Sequence, residues 1–117
     1  MNIENLSMKL ILHAGNAKGY LHGALRDARN AEFDQIDLKV KQAANELLEA
    51  HNIQTKLIQE DAKNDLTSLP VILVHAQDHL MTVMSEKDLI EEMIEMYRKQ
   101  HKMNVKLDEL IDKAKLK

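Results

Sequence analysis

Pro70-Val71-Ile72-Leu73-Val74-His75-Ala76-Gln77-Asp78-His79-Leu80-Met81-Thr82-Val83-Met84 sets two histidines, an amide and a carboxylate among apolar side chains. As a helix, this stretch places His75 and His79 one turn apart on one face, with Asp78 beside them. Its apolar groups point in all directions, and a soluble helix of that kind is buried on every side. Polar groups placed there are costly unless paired, so they need a reason to exist. A monomer of three helices buries one stripe of each, so the surplus apolar surface calls for a second partner. Self-association around this helix, in a closed symmetric oligomer, is the expectation. The plainer alternative is that this stretch is the best-covered part of a monomer core.

The rest of the chain is short of helix breakers. Pro70 is the sole proline, and Gly15, Gly19 and Gly23 are the sole glycines among 117 residues. Together with many Ala, Leu, Lys, Glu and Gln, this makes the chain all-α by composition and long enough for one domain with a real core. The periodicity predicts a first helix over 3–31 on the stripe Ile3, Ser7, Leu10, Ala14, Ala17, Leu21, Ala24, Ala28, widened by Leu6, Ile11 and Leu25. It predicts a second over 34–63, with Asp34 as N-cap and Asp37 in the first turn, on Ile36, Val40, Ala43, Leu47, Ala50, Gln54, Leu57 and Asp61. After a turn at Lys63-Asn64-Asp65-Leu66-Thr67, Ser68 as N-cap and Pro70 near N1 or N2 open a third over 69–100. Helices of this length with short connections imply an antiparallel three-helix up-down-up bundle over residues 1–100. Residues 101–117 form a lysine-rich C-terminal tail with Leu107, Leu110, Ile111 and Ala114 at helical spacing, expected as a short helix of marginal independent stability.

A net charge of -3 and the absence of a basic stripe interleaved with aromatics argue against nucleic-acid binding. With no cysteine there is no disulfide, no thiolate nucleophile and no thiolate metal site. Met1-Asn2-Ile3-Glu4-Asn5 does not begin a signal peptide, and no apolar run approaches the roughly 20 residues of a membrane span. The expected location is cytoplasmic.

A neutral imidazole can act as base, ligand or nucleophile, so His75 is either a reactive group or a satisfied boundary residue. Asp78, on a helix buried in an oligomer, must be protonated, hydrogen-bonded or bound to a cation. Copies converging on a symmetry axis would repel unless a proton or divalent cation joined them. The alternative is an exposed aspartate at a gap in the apolar surface. The HxxxH spacing is also half a zinc site, but Ala76 stands where helical metalloproteases carry glutamate, so zinc hydrolysis is disfavoured. Gln54 and Gln77 read as structural hydrogen-bonders. Gly15, Gly19 and Gly23 line one side of the first helix, either for close approach of another backbone or as a locally weakened surface. His13, His22, His51 and His101 lack a comparable constellation and read as structural or exposed.

His13-Ala14-Gly15-Asn16-Ala17, Glu49-Ala50-His51-Asn52-Ile53-Gln54-Thr55, Leu57-Ile58-Gln59 and Val74-His75-Ala76-Gln77-Asp78-His79-Leu80-Met81 stand in order. Together they resemble the enzyme IIA component of the lactose/cellobiose class of the bacterial phosphoenolpyruvate-dependent sugar phosphotransferase system, over about residues 5–100. The resemblance implies a homotrimer of three-helix subunits around helix three, with the phosphoryl group carried on His75. It also implies that Asp78 lies near the threefold axis, where some members bind a divalent metal such as Mg. The donor it implies is the histidine-containing phosphocarrier protein, the acceptor a cysteine of the cognate IIB component, and IIC then moves the sugar across the membrane.

His79, one turn from His75, is a candidate hydrogen-bond donor to the phosphoryl oxygens. No nucleotide is needed, and no GxxxxGK[ST] loop is present. The chain departs from the family's pattern in three places. Lys63-Asn64-Asp65 lacks a glycine, Gly19 and Gly23 replace bulkier residues, and the tail runs past the usual end. Two other readings stand beside this one: a non-catalytic helical interaction module in which His75 and Asp78 set oligomer register, and a metal-binding bundle. A IIA component touches proteins rather than sugar. The His-Ala-Gln-Asp-His wording points to a cellobiose-type rather than a lactose-type sugar.

Overall fold

Three helices make up the regular structure in the computed structural model, which describes residues 2–64 and 70–115 and the side chains of 2–61 and 70–115. They are α1 (Ile3–Arg29), α2 (Ile36–Asn64) and α3 (Val71–Lys115). Side-chain bonds between them give the topology. His13 Nδ1 meets Glu46 Oε2 at 2.6 Å and Lys39 donates to Asp27, so α1 and α2 run antiparallel. Gln54 pairs with Gln77 and Asp37 with Arg98, so α2 and α3 also run antiparallel. The arrangement is therefore up-down-up, with α1 and α3 parallel and tied by His22 Nε2 to Glu86 Oε2 at 3.2 Å.

The predicted stripe of α1 is its buried face: Ser7, Leu10, Ala14, Ala17, Leu21, Ala24 and Ala28. Four alanines on that face let the other two helices approach closely, and α1 packs along both of them. Contacts between α2 and α3 are sparse. A groove of about 610 Å³ opens between them, lined among others by Leu47, Leu48, His51, Met81 and Met84. The glycines are not part of this packing. Nothing lies within 4 Å of where a Cβ would sit on Gly15 or Gly19, and at Gly23 the nearest atom is Lys39 Cδ at 3.7 Å.

Several helix ends differ from the sequence reading. α1 stops at Arg29, not Ala31, because Ala31 takes φ 59°. Its N–H donates to the Ala28 carbonyl at 3.1 Å and that of Glu32 to Asp27 at 2.8 Å, which together form a Schellman cap. The left-handed conformation strains a Cβ, so Ala31→Gly is expected to raise stability by about 1 kcal/mol. A shift in urea midpoint would report it, and an unchanged or lower midpoint would show that the strain is absent. α2 begins at Ile36, with the Gln35 carbonyl accepting from the Lys39 N–H at 3.0 Å. Asp34 therefore precedes the cap instead of forming it. Pro70 lies just before α3, its carbonyl accepting from Leu73 and Val74, so it holds the cap position and not N1 or N2. Ser68 and most of the Lys63–Thr67 turn lie outside the described residues.

Two further differences concern α3. It does not end near Gln100 but continues unbroken to Lys115. The bundle itself ends near Gln100, where Phe33 lies under the Arg98 guanidinium and beside the His101 ring. Beyond it the core-facing positions turn mostly polar, at Asp108 and Asp112, with Val105 the exception. That change ends the packing but not the helix, since no glycine or proline interrupts 101–115. Residues 71–84 are also not buried on every side of a single chain. Leu73, Ala76, Leu80 and Val83 are buried, while Val71 is 84% exposed and Val74, Met81 and Met84 are exposed as well.

Candidate functional site

The site is built on the first three turns of α3. Fully buried Ala76 and Leu80 anchor this segment against the bundle, and the residues just before each of them, His75 and His79, emerge together at the edge of the packed face. The His75 side chain is exposed and that of His79 partly buried. Their rings lie parallel within 8°, with centroids 6.3 Å apart. On the other side of the helix, Gln54 Nε2 donates to Gln77 Oε1 at 2.6 Å and pins α3 to α2. This bond joins the two amides and holds the histidine-bearing turn in rotation.

Asp78 occupies the neighbouring exposed face, with Val71, Val74 and Met81. Its backbone carbonyl accepts from Thr82 Oγ1 at 2.9 Å. Its carboxylate has no partner among the described residues, and no described group of three His, Cys, Asp or Glu side chains within one chain could hold a metal ion. The structure thus brings His75 and His79 together and leaves Asp78 as a lone carboxylate on an apolar surface.

The other histidines are engaged elsewhere or open to solvent. His13 and His22 pair with Glu46 and Glu86, His101 packs on Phe33, and His51 lies in the α2–α3 groove. Sequence reasoning read His22 as structural or exposed and passed over its partner Glu86 and Lys18; the three tie α1 to α3. His22 and Glu86 are 64 residues apart, and no local spacing marks such a pair.

A reactive imidazole must present a nitrogen lone pair to a large partner, and the exposure of His75 allows it. The first turn of α3 carries no acidic residue. The helix start also offers peptide N–H groups free of intrahelical partners.

The family of the PTS system, Lactose/Cellobiose specific IIA subunit, matches residues 5–98. A lichenan-specific phosphotransferase enzyme IIA component of Bacillus subtilis is 39% identical over 97 residues, 83% of this chain and 88% of the relative. A crystal structure of the PTS cellobiose specific enzyme IIA from Bacillus anthracis superposes with a TM-score of 0.81 at 37% identity, covering 86% of this chain and 93% of that one. The IIA(Chitobiose) structure of Escherichia coli, solved in complex with HPr, superposes with a TM-score of 0.76 at 38% identity, covering 86% and 98%. Matched by the family over residues 5–98 and by these relatives along most of its length, the chain belongs to the lactose/cellobiose-specific enzyme IIA family, the IIA phosphocarriers of the sugar phosphotransferase system.

Proposed function

We propose that His75 is the residue that carries the phosphoryl group in this phosphocarrier. The observation that supports this most is an exposed His75 ring held parallel to His79 on a buried, pinned turn. The donor is HPr, the histidine-containing phosphocarrier protein with which the chitobiose relative was solved. The lone pair of a neutral His75 ring nitrogen attacks phosphorus in line as the N–P bond to the donor histidine breaks; the electron pair of that bond returns to the donor ring, whose other nitrogen carries a proton taken from solvent, so it leaves as a neutral imidazole. The second His75 nitrogen keeps its proton or loses it to solvent. Positioning supplies most of the catalysis, and a nearby hydrogen bond to the moving oxygens supplies the rest. His79, one turn along the helix, would donate that bond. The group then passes to a cysteine of the IIB component, in the cytoplasm, during uptake of a cellobiose-type sugar.

The same reading makes the protein a homotrimer around α3, whose exposed Val71, Val74 and Met81 are buried when copies converge. Asp78 from each copy would then hold a divalent cation such as Mg, which would neutralise the converging carboxylates. An exposed, unpartnered carboxylate on an apolar face fits that ion. Removing magnesium with a chelator is expected to lower the melting temperature by roughly 3 °C or more, and Asp78→Asn to abolish that sensitivity. A wild-type melting temperature indifferent to the chelator would rule the ion out.

The test of the phosphocarrier role is an intact mass after incubation with phosphoenolpyruvate, enzyme I and HPr. One acid-labile phosphoryl group per chain, mapped to His75, is the expected result. No mass shift with a competent donor, or a shift mapped elsewhere, would overturn the assignment.

A further inference from the structure

α3 has two stripes, and they end differently. The core-facing stripe runs through Leu73, Ala76, Leu80, Val83, Ile90 and Ile94 and gives way to Asp108 and Asp112, with Val105 the one apolar side chain between them and the bundle. The solvent-facing stripe continues past the bundle, although Thr82, Ser85, Glu92 and Gln100 interrupt it before the tail. At about 100° per residue, Met96, Met103, Leu107, Leu110 and Ala114 all lie within roughly 40° of Asp78 around the helix. Met96, Met103, Leu107 and Leu110 are 55–69% exposed. Their 4-3 spacing, from 96 through 103, 107 and 110 to 114 with Gln100 between, is the a/d seam of a coiled coil. Residues 101–115 project about 22 Å beyond the bundle at 1.5 Å per residue, and an isolated helix of that length is marginal in water. The family match stops at residue 98, so it covers none of this projection.

We infer that residues 101–115 form a parallel coiled coil with the same segment of other copies of this chain, continuing the α3 assembly past the bundle. This rests on the proposed reading that α3 faces its copies. The occupant is argued from continuity and charge. The seam lies on the same side of the helix as Asp78, the face that reading places at the axis, and on no other. One flank of the seam carries Lys99, Lys106 and Lys113, while the other carries Asn104 and Ile111. An antiparallel pairing sets the lysine flank against itself, whereas a parallel one sets it against Asn104 and Ile111. The extension would hold the copies together at the end of the bundle remote from His75, leaving the phosphorylated end free for partners.

The chain has no cysteine, so single cysteines can be introduced without background. Three full-length variants are compared under mild oxidation: Leu107→Cys in the tail seam, Val105→Cys on the opposite face of the tail, and Met96→Cys in the bundle seam. Leu107→Cys is expected to form disulfide-linked dimers at least about tenfold faster than Val105→Cys, close to the rate of Met96→Cys. If Met96→Cys links but Leu107→Cys does no better than Val105→Cys, the tail does not pair with its copies, and the stripe serves another protein or none. If neither seam position links and the mass in solution is that of one chain, the assembly reading itself has failed, and the tail proposal with it.

Discussion

His75→Ala is expected to abolish phosphoryl uptake from HPr while leaving helix content, unfolding midpoint and assembly unchanged. The separation follows from where the residue sits. His75 is exposed and makes no hydrogen bond or ion pair among the described residues, where its ring lies parallel to that of His79, so trimming it removes little stabilising packing. Its ring is nonetheless the proposed nucleophile, and alanine offers no atom to which phosphorus can bond. His79→Ala should behave differently. It retains the nucleophile and loses a charge-assisted hydrogen bond, which corresponds to about 10–100-fold in rate. Single-turnover phosphorylation followed by intact mass distinguishes the two. A His75→Ala protein that still accepts one phosphoryl group would place the chemistry on another residue. Complete loss in His79→Ala, with His75→Ala active, would exchange their roles. Inactivity of the wild type would instead favour an interaction module in which both rings only hold register.

Leu80→Ala should produce the opposite pattern, a large loss of stability. Leu80 is fully buried, next to His79, and among the largest wholly enclosed side chains of the chain. Replacing it leaves a cavity, and such changes cost about 3–5 kcal/mol. Against a total of about 5–15 kcal/mol for a domain, that is a substantial part of the whole. The urea midpoint should fall sharply, measured at one fixed protein concentration because assembly is linked to folding. Phosphorylation should persist below the new transition, since no reacting group is removed. A loss under about 1 kcal/mol would mean that this turn of α3 can collapse onto the vacancy, and that the histidine pair is not held by the core beneath it.

Legibility along the chain followed how local the deciding physics is. The α1 stripe from Ser7 to Ala28 was readable because seven positions at helical spacing are small or apolar, and the same seven are buried. The α2 stripe was readable with the same rule, although Asp61 is exposed and Ile53 supplies burial it did not include. Helix ends were less legible. Ala31 in a left-handed cap carries no residue-type signal, since glycine is the usual occupant. The end of α3 was misplaced because the loss of core-facing residues after His101 resembles a helix end when only one stripe is followed. The pairing of His75 with His79 was legible from a spacing of four residues. The bond from Gln54 to Gln77 was not, because its members are 23 residues apart.

By itself the sequence determined that the chain is all helical, which residues face inward along α1, and that two histidines and a carboxylate share one turn of helix. Each of these depends on interactions within a few residues, which periodicity and composition record. Only the tertiary structure decided that α1 lies along both other helices while α2 and α3 leave a groove. It also decided that the His75 side chain opens to solvent while Leu80 does not, and that α3 carries its outer apolar stripe beyond the bundle. These depend on which surfaces of distant segments meet, and the rotation of one helix against another is set by packing that no local pattern encodes.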